Sequence, residues 1–259
     1  MVLWHCGFMV LWPKCHIATT PQRHFYTTPT SMKYKWLLLD ADNTLMDFTK
    51  ASHKAFDQIC KDFQLGKPAD LYPIYQKYNL AAWKAFENKQ ITADQLKVDR
   101  MAYFTKSIDR SDIDPSYLNQ QYLQALMLNS ELYEGVEEVL QELKHDYIMS
   151  IVTNGLKEVQ RPRVQRLGLN QYFASIIVSD EIGIAKPDHL YFEHAIQTIN
   201  SPPSKSEILI VGDSLHSDIQ GGKNFGIDTC WIHHGRSNGS DIQPNYSISS
   251  FLDLSDVLM

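Results

Sequence analysis

The chain has 259 residues, 44% of them apolar, and carries a formal net charge of -6 with a pI near 5.9. That length suits one large domain or a core with an insertion, and an acidic balance without any Lys/Arg run excludes the basic footprint of a protein that binds polymeric nucleic acid. No apolar run is long enough for a transmembrane helix, so no membrane partner is expected, and cysteines at 6, 15, 60 and 230 form neither a close CxxC pair nor a disulfide framework, which fits a cytoplasmic location.

Residues 1–31 read as an appendage. The first 39 residues contain no Asp or Glu, and Cys15 to Ser31 is rich in Thr, Pro and His without helical or strand periodicity. Val2 to Trp12 lacks the basic residues that precede a secretory signal's apolar run, and the single Arg23 is too little for a transit peptide. The expectation is a disordered extension or a start assigned ahead of Met32. His5, Cys6, Cys15 and His16 have a spacing that matches no common zinc pattern.

Tyr34 to Leu39 is a nearly continuous apolar run ending at an Asp, as a strand buried on both faces of a parallel sheet requires. From Thr49 to Asn129 the pattern becomes a series of helices carrying Phe56, Tyr75, Trp83, Phe86, Tyr103, Phe104 and Tyr122. These aromatics are expected to form the segment's own core, with one or two left to face a ligand. Strand patterns then resume at Tyr147 to Val152, Ser175 to Val178, Glu207 to Val211 and Thr229 to Ile232, with helices between most of them. One of those helices has Phe192, Ala195, Ile196 and Ile199 on one face and Pro187 near its start. Ser237 to Ser250 reads as a polar loop before a short last helix. The predicted architecture is therefore α/β: a doubly wound, Rossmann-like parallel-sheet core of residues 32–48 and 130–259, with an all-helical cap inserted at 49–129.

The chemistry gathers at the predicted strand ends, where open α/β sheets bind ligands. Leu37-Leu38-Leu39-Asp40-Ala41-Asp42-Asn43-Thr44 places two carboxylates on one side of an extended chain, although an Asx-type turn with solvated acids would have the same composition. Thr153, Asn154 and Gly155 follow the second strand with a hydroxyl, an amide and a flexible backbone suited to phosphate oxygens. Lys186 precedes Pro187 at a helix start, where both its ammonium and the helix terminus favour an anion. Gly212-Asp213-Ser214 follows the fourth strand, with Asp218 beyond it.

DxDxT, TNG, KPD and GDSxxxD in this order resemble the four motifs of the haloacid-dehalogenase-like hydrolase superfamily over nearly the whole chain after Met32. The resemblance implies a Mg2+-dependent phosphate monoester hydrolase that works through an aspartyl-phosphate intermediate. Asp40 would be the nucleophile and Asp42 the acid/base; Thr153, Asn154 and Lys186 would hold the phosphoryl group. Mg2+, with Mn2+ as a substitute, would be bound by Asp40, the backbone carbonyl of Asp42, and Asp213, supported by Asp218. A carboxylate at position 42 separates the chain from the dehalogenases, which need no acid on a leaving alkoxide. The stretch between Asn154 and Lys186 is too short for a second cap there, so the helical insertion is the one that closes over a small substrate.

DADNTLMDF, TNGLKEVQRPRVQRLGL, IGIAKPD and GDSLHSDIQGG look most like bacterial pyrimidine 5'-nucleotidases, implying UMP, dUMP or dTMP as substrate. A phosphoglycolate or sugar-phosphate phosphatase would share the motifs and differ in the cap. A non-enzymatic phosphorylatable switch shares the Asp, Thr and Lys but not their order. Pro162 is expected to interrupt or kink the helix that carries Gln160 and Arg163. His189, His194, His216, His233 and His234 have no required role, and Cys230 reads as a small buried residue.

Overall fold

Trp36–Leu39 forms β1, and its alternating side chains enter two different layers: Leu37 and Leu39 point into one apolar cluster, Trp36 and Leu38 into another. All four are completely buried. This computed structural model describes residues 32–259, so the expectations for residues 1–31, including the His5, Cys6, Cys15 and His16 group, lie outside the described residues.

β1 is the centre of a six-stranded, all-parallel sheet with β2 (Ile148–Thr153), β3 (Ser175–Val178), β4 (Ile208–Gly212), β5 (Asp228–Ile232) and β6 (Tyr246–Ile248), in the order β3-β2-β1-β4-β5-β6. Leu38 pairs with Ser150 on one side and Ile210 on the other, so the strand order reverses at β1. That reversal opens a crevice beyond the carboxyl ends of β1, β2 and β4. β6 lies within the stretch read as a polar loop. Only Ile248 of its three residues is buried, and a three-residue edge strand pairing parallel to β5 leaves almost no apolar pattern to detect.

One sheet face is covered by α5 (Val136–Leu143), α6 (Lys157–Arg166) and α10 (Leu254–Leu258), the other by α8 (His189–Gln197) and α9 (Gly221–Phe225), while the four-residue α7 (Ser179–Ile182) directly follows β3. Within the sheet, Trp36 Nε1 donates to Ser150 Oγ at 3.0 Å, and Ser150 meets Ser175 at 2.8 Å, so these buried polar groups satisfy one another. α6 runs through Pro162 without the interruption that was one of the two sequence expectations. Pro162 is the sixth residue of the helix, and the bond it forgoes is to the carbonyl of Glu158, an exposed position of the first turn. The buried face of Val159, Gln160, Arg163 and Val164 is thereby kept.

Four helices follow β1: α1 (Phe48–Asp62), α2 (Pro68–Glu87), α3 (Ala93–Ser107) and α4 (Pro115–Asn129). Their starts are set locally by Asp47 capping α1, Pro68 in the first turn of α2, a Thr92/Gln95 capping box on α3, and Asp114 capping α4 ahead of Pro115. They share an apolar core of their own, in which Phe56 stacks on Tyr75 at 5.0 Å and meets the edge of Phe104 at 5.5 Å. Each such ring contributes on the order of 1.5–3 kcal/mol through burial. Tyr103 is outside that core; it is 57% exposed and stacks on Tyr78.

Candidate active site

Asp40 continues the β1–β4 ladder, its N–H donating to Val211 O at 2.9 Å, so the first acidic residue beyond the strand is held by the sheet. The chain then turns sharply. Leu45 and Met46 N–H both reach Ala41 O, and Asn43 adopts φ 58°, which an Asn tolerates. His234 Nε2 donates to Asn43 O at 2.7 Å while its ring stacks on Tyr133. The histidine thus braces the loop that carries the acids, a role the sequence did not reveal.

Lys186 is 1% exposed, and its ammonium has three donors and three acceptors: Asp40 Oδ1 at 2.7 Å, Asp218 Oδ1 at 2.7 Å and Val152 O at 2.6 Å. Its pKa is raised: burial opposes the charge, but Asp218 and Asp40 together outweigh it. At the start of α8 the Asp188 side chain accepts from the Leu190 N–H, so that helix-terminal donor is already occupied. Burial pushes Asp40 up to about 7, with Lys186 pulling the other way and Asp218 adding to the rise. Asp213 is pushed up to about 6, first by burial and then by the charge of Asp40. Asp218 is raised by burial, partly offset by Lys186.

Asp40, Asp213 and Asp218 each offer a carboxylate oxygen within 4.8 Å of the others. Such a set of hard oxygen donors around excess negative charge suits Mg2+. Asp218 is the most committed of the three, with Lys186 on Oδ1 and the Ser214 N–H on Oδ2 at 3.0 Å. Asp213 receives Arg236 on its Oδ2 at 3.1 Å. The side chain of Asp42 stands apart from this cluster: Arg163 donates to its Oδ1 at 2.6 Å and Gln160 to its Oδ2 at 2.7 Å. Arg163 is fully buried and also donates to Ser130 Oγ and Gln160 Oε1, which fixes the guanidinium at one angle.

The second motif is tied into the same frame. Gln160 Nε2 also donates to Thr153 Oγ1 at 2.9 Å, leaving the Thr153 hydroxyl proton free to point elsewhere. The Asn154 amide clasps the backbone of Lys186 from both ends, Nδ2 to Lys186 O at 2.8 Å and Lys186 N to Oδ1 at 2.9 Å, and retains one uncommitted N–H. The glycines of these motifs are there for close approach. A Cβ on Gly155 would lie 2.3 Å from Gln160 Nε2, and one on Gly212 would lie 2.2 Å from Asp218 Oδ2.

A cleft of about 410 Å3 joins Asp40, Asp42, Thr153, Asn154 and Asp213 to residues of α2, α3 and α4, including Trp83, Arg100 and Tyr122. The predicted acids and the second-motif residues therefore meet in one place, with Lys186 beneath them. Gln160, Arg163 and Arg100 belong to the site too; for the first two the sequence offered only two polar residues three apart on one helix, and their burial is a finding of the structure. His189, His194 and His216 are exposed, and Cys230 is a buried thiol pushed up to about 12 by desolvation, unfit as a nucleophile.

The model of haloacid dehalogenase-like hydrolases matches residues 37–232. Pyrimidine 5'-nucleotidase YjjG of Escherichia coli is 32% identical over 228 residues, covering 88% of this chain and 99% of the relative. Pyrimidine 5'-nucleotidase PynA of Streptococcus pneumoniae is 35% identical over 229 residues, covering 88% and 96%. The crystal structure of the HAD-hydrolase YfnB from Bacillus subtilis, bound to magnesium and revealing interdomain movement in that protein, superposes with a TM-score of 0.81 at 31% identity, covering 87% of this chain and 99% of that one. Among the described residues no helix is long and apolar enough to cross a membrane. With the motif residues gathered at the switch point of the sheet and relatives matched along nearly their whole length, the chain belongs to the haloacid dehalogenase-like hydrolases and is an enzyme of that family.

Proposed function

We propose that this hydrolase cleaves pyrimidine nucleoside 5'-monophosphates by way of an aspartyl-phosphate on Asp40, with residues 49–129 acting as the cap over the substrate. The observation that carries the reading is the division of the carboxylates. Asp40, Asp213 and Asp218 crowd around Lys186 and the candidate cation position, whereas Asp42, two residues on, faces the same cleft under the separate control of Arg163 and Gln160. Two neighbouring carboxyl groups in different surroundings can take different roles.

In the first step an Asp40 oxygen attacks phosphorus, the ester P–O bond breaks, and the departing alkoxide takes a proton from Asp42. In the second, water attacks phosphorus, Asp42 takes its proton, and the acyl-phosphate P–O bond breaks to free phosphate and Asp40. Arg163 and Gln160, one on each oxygen of Asp42, orient the carboxyl group for both transfers. Lys186 steadies the charge of Asp40 from below, and the free hydroxyl proton of Thr153 and the spare amide proton of Asn154 are available to phosphate oxygens. Asp40, Asp213 and the Asp42 backbone carbonyl would hold Mg2+, which would neutralise charge between the carboxylate and the phosphate dianion.

Phosphate release measured side by side on UMP, dUMP, dTMP, AMP, GMP, phosphoglycolate and hexose phosphates tests the reading. Pyrimidine nucleotides should lead in kcat/KM by at least about tenfold, equivalent to about 1.4 kcal/mol of transition-state binding. A purine nucleotide, phosphoglycolate or a hexose phosphate as best substrate would overturn the pyrimidine assignment. Asp40→Asn should be folded and inactive; substantial turnover would remove Asp40 as the nucleophile.

A further inference from the structure

The cleft has an acidic floor, and at its helical end lies one buried cation. Arg100 of α3 is 3% exposed, yet no carboxylate among the described residues pairs with it. Its guanidinium is held by neutral acceptors only, NH1 to Asn79 Oδ1 and NH2 to Asn119 Oδ1, each at 2.8 Å, and it lies over the ring of Tyr122 at 5.4 Å. Its Nε is buried and, among the described residues, has no partner. A guanidinium kept out of water without a counter-charge is unfavourable unless something else completes it. Arg100, Asn79 and Tyr122 all line the cleft that contains Asp40.

Around Arg100 itself the hydrogen-bonding sense is one-sided; the carboxylate that α2 gives the cleft, Glu87, lies two turns further along the helix than Asn79. Arg has donors and no acceptor, and the Asn79 carbonyl oxygen is already occupied by Arg100, which leaves its amide nitrogen as another donor. The surroundings thus offer N–H groups and positive charge, with the flat apolar surfaces of Trp83 and Tyr122 nearby. A ligand part that suits them is a planar ring bearing carbonyl acceptors. An exocyclic amino group would bring donor against donor and leave buried groups unsatisfied, the situation that gives the sharpest discrimination.

Building on the nucleotidase reading above, we propose that Arg100 and Asn79 form a base-recognition subsite that reads the carbonyl edge of a pyrimidinedione, making uracil and thymine nucleotides the preferred substrates and discriminating against cytosine and other amino-bearing bases. Arg100 then has two functions from one position. It links α2, α3 and α4 through Asn79 and Asn119, and it senses the part of the substrate farthest from the reacting phosphate. Neither function involves the reacting atoms, so both residues are specificity determinants.

The test is a kcat/KM comparison on the full chain with UMP, CMP, a uridylate analogue carrying hydrogen in place of the C4 carbonyl, and p-nitrophenyl phosphate, which has no base. Wild-type enzyme should favour UMP over both CMP and the analogue by at least tenfold. Arg100→Met should lose at least tenfold more activity on UMP than on p-nitrophenyl phosphate. Because Arg100 also ties helices together, Asn79→Asp is the deciding variant: nearly the same in shape, it gives Arg100 a counter-charge and turns a donor into an acceptor. In Asn79→Asp the UMP-to-CMP ratio should shrink at least fivefold. An unchanged ratio in a folded Asn79→Asp protein, or equal losses on all four esters, would overturn the subsite while leaving the nucleotidase reading standing. A wild-type enzyme that prefers a base-free ester to UMP would overturn both.

Discussion

Asp213→Asn should make the cation-free protein more stable while removing its activity. Asp213 is 14% exposed, and its carboxyl is pushed from an ordinary 3.8 to about 6 by burial and by the neighbouring charge of Asp40. Holding it ionised in the folded state therefore costs about 3 kcal/mol. Asparagine has nearly the same shape, can still accept from Arg236, and has no charge to desolvate. Part of the gain is offset by burying the amide, leaving about 1–2 kcal/mol, or roughly 2–8 °C in Tm for a chain of this size. The folded pKa lies above the unfolded one, so the penalty is absent below about pH 4, develops between about 4 and 6, and is complete above 6. Thermal unfolding in chelator should accordingly show wild type and Asp213→Asn melting together near pH 4 and separating by pH 7.5. Added Mg2+ should raise the wild-type Tm and narrow the gap, because a ligand of the folded state stabilises it by mass action. A variant less stable than wild type at pH 7.5 in chelator, or a gap equally wide at pH 4, would refute the electrostatic account of the cluster.

Asp42→Asn should be most impaired on esters with poor leaving groups, because proton donation is what it loses; equal losses on alkyl and p-nitrophenyl esters would contradict the acid role. Arg163→Met should lower kcat by about tenfold to a hundredfold with less effect on KM, since it frees the Asp42 carboxyl to rotate; a lysine at 163 that restored full activity would show that charge alone suffices. EDTA should stop turnover and Mg2+ or Mn2+ should restore it, as hard oxygen ligands require; full activity in chelator would contradict the cation site.

Much of the protein was legible in the sequence because it rests on short-range rules. Trp36 to Leu39 reads as a doubly buried strand from its apolar run alone, and the four other strands that carry or flank the motifs were recognisable in the same way, to within a residue or two at each end. The acids at 40, 42 and 213 follow those strands directly, so strand position and site position were one inference. What the sequence left open depends on contacts between distant segments. β6 is an edge strand defined by pairing with β5 more than by its own residues, and Pro162 is tolerated because the bond it removes falls in an exposed first turn. The partner of a buried polar group is likewise a tertiary matter. Nothing local says that the three protons of Lys186 go to Asp40, Asp218 and Val152, that Arg163 and Gln160 divide the oxygens of Asp42 between them, or that Arg100 meets two asparagines and, among the described residues, no carboxylate. Residue types determined which chemistry was available; only the packing of α6 on the sheet, and of α1–α4 on one another and on α6, decided which groups are occupied and which remain free for substrate.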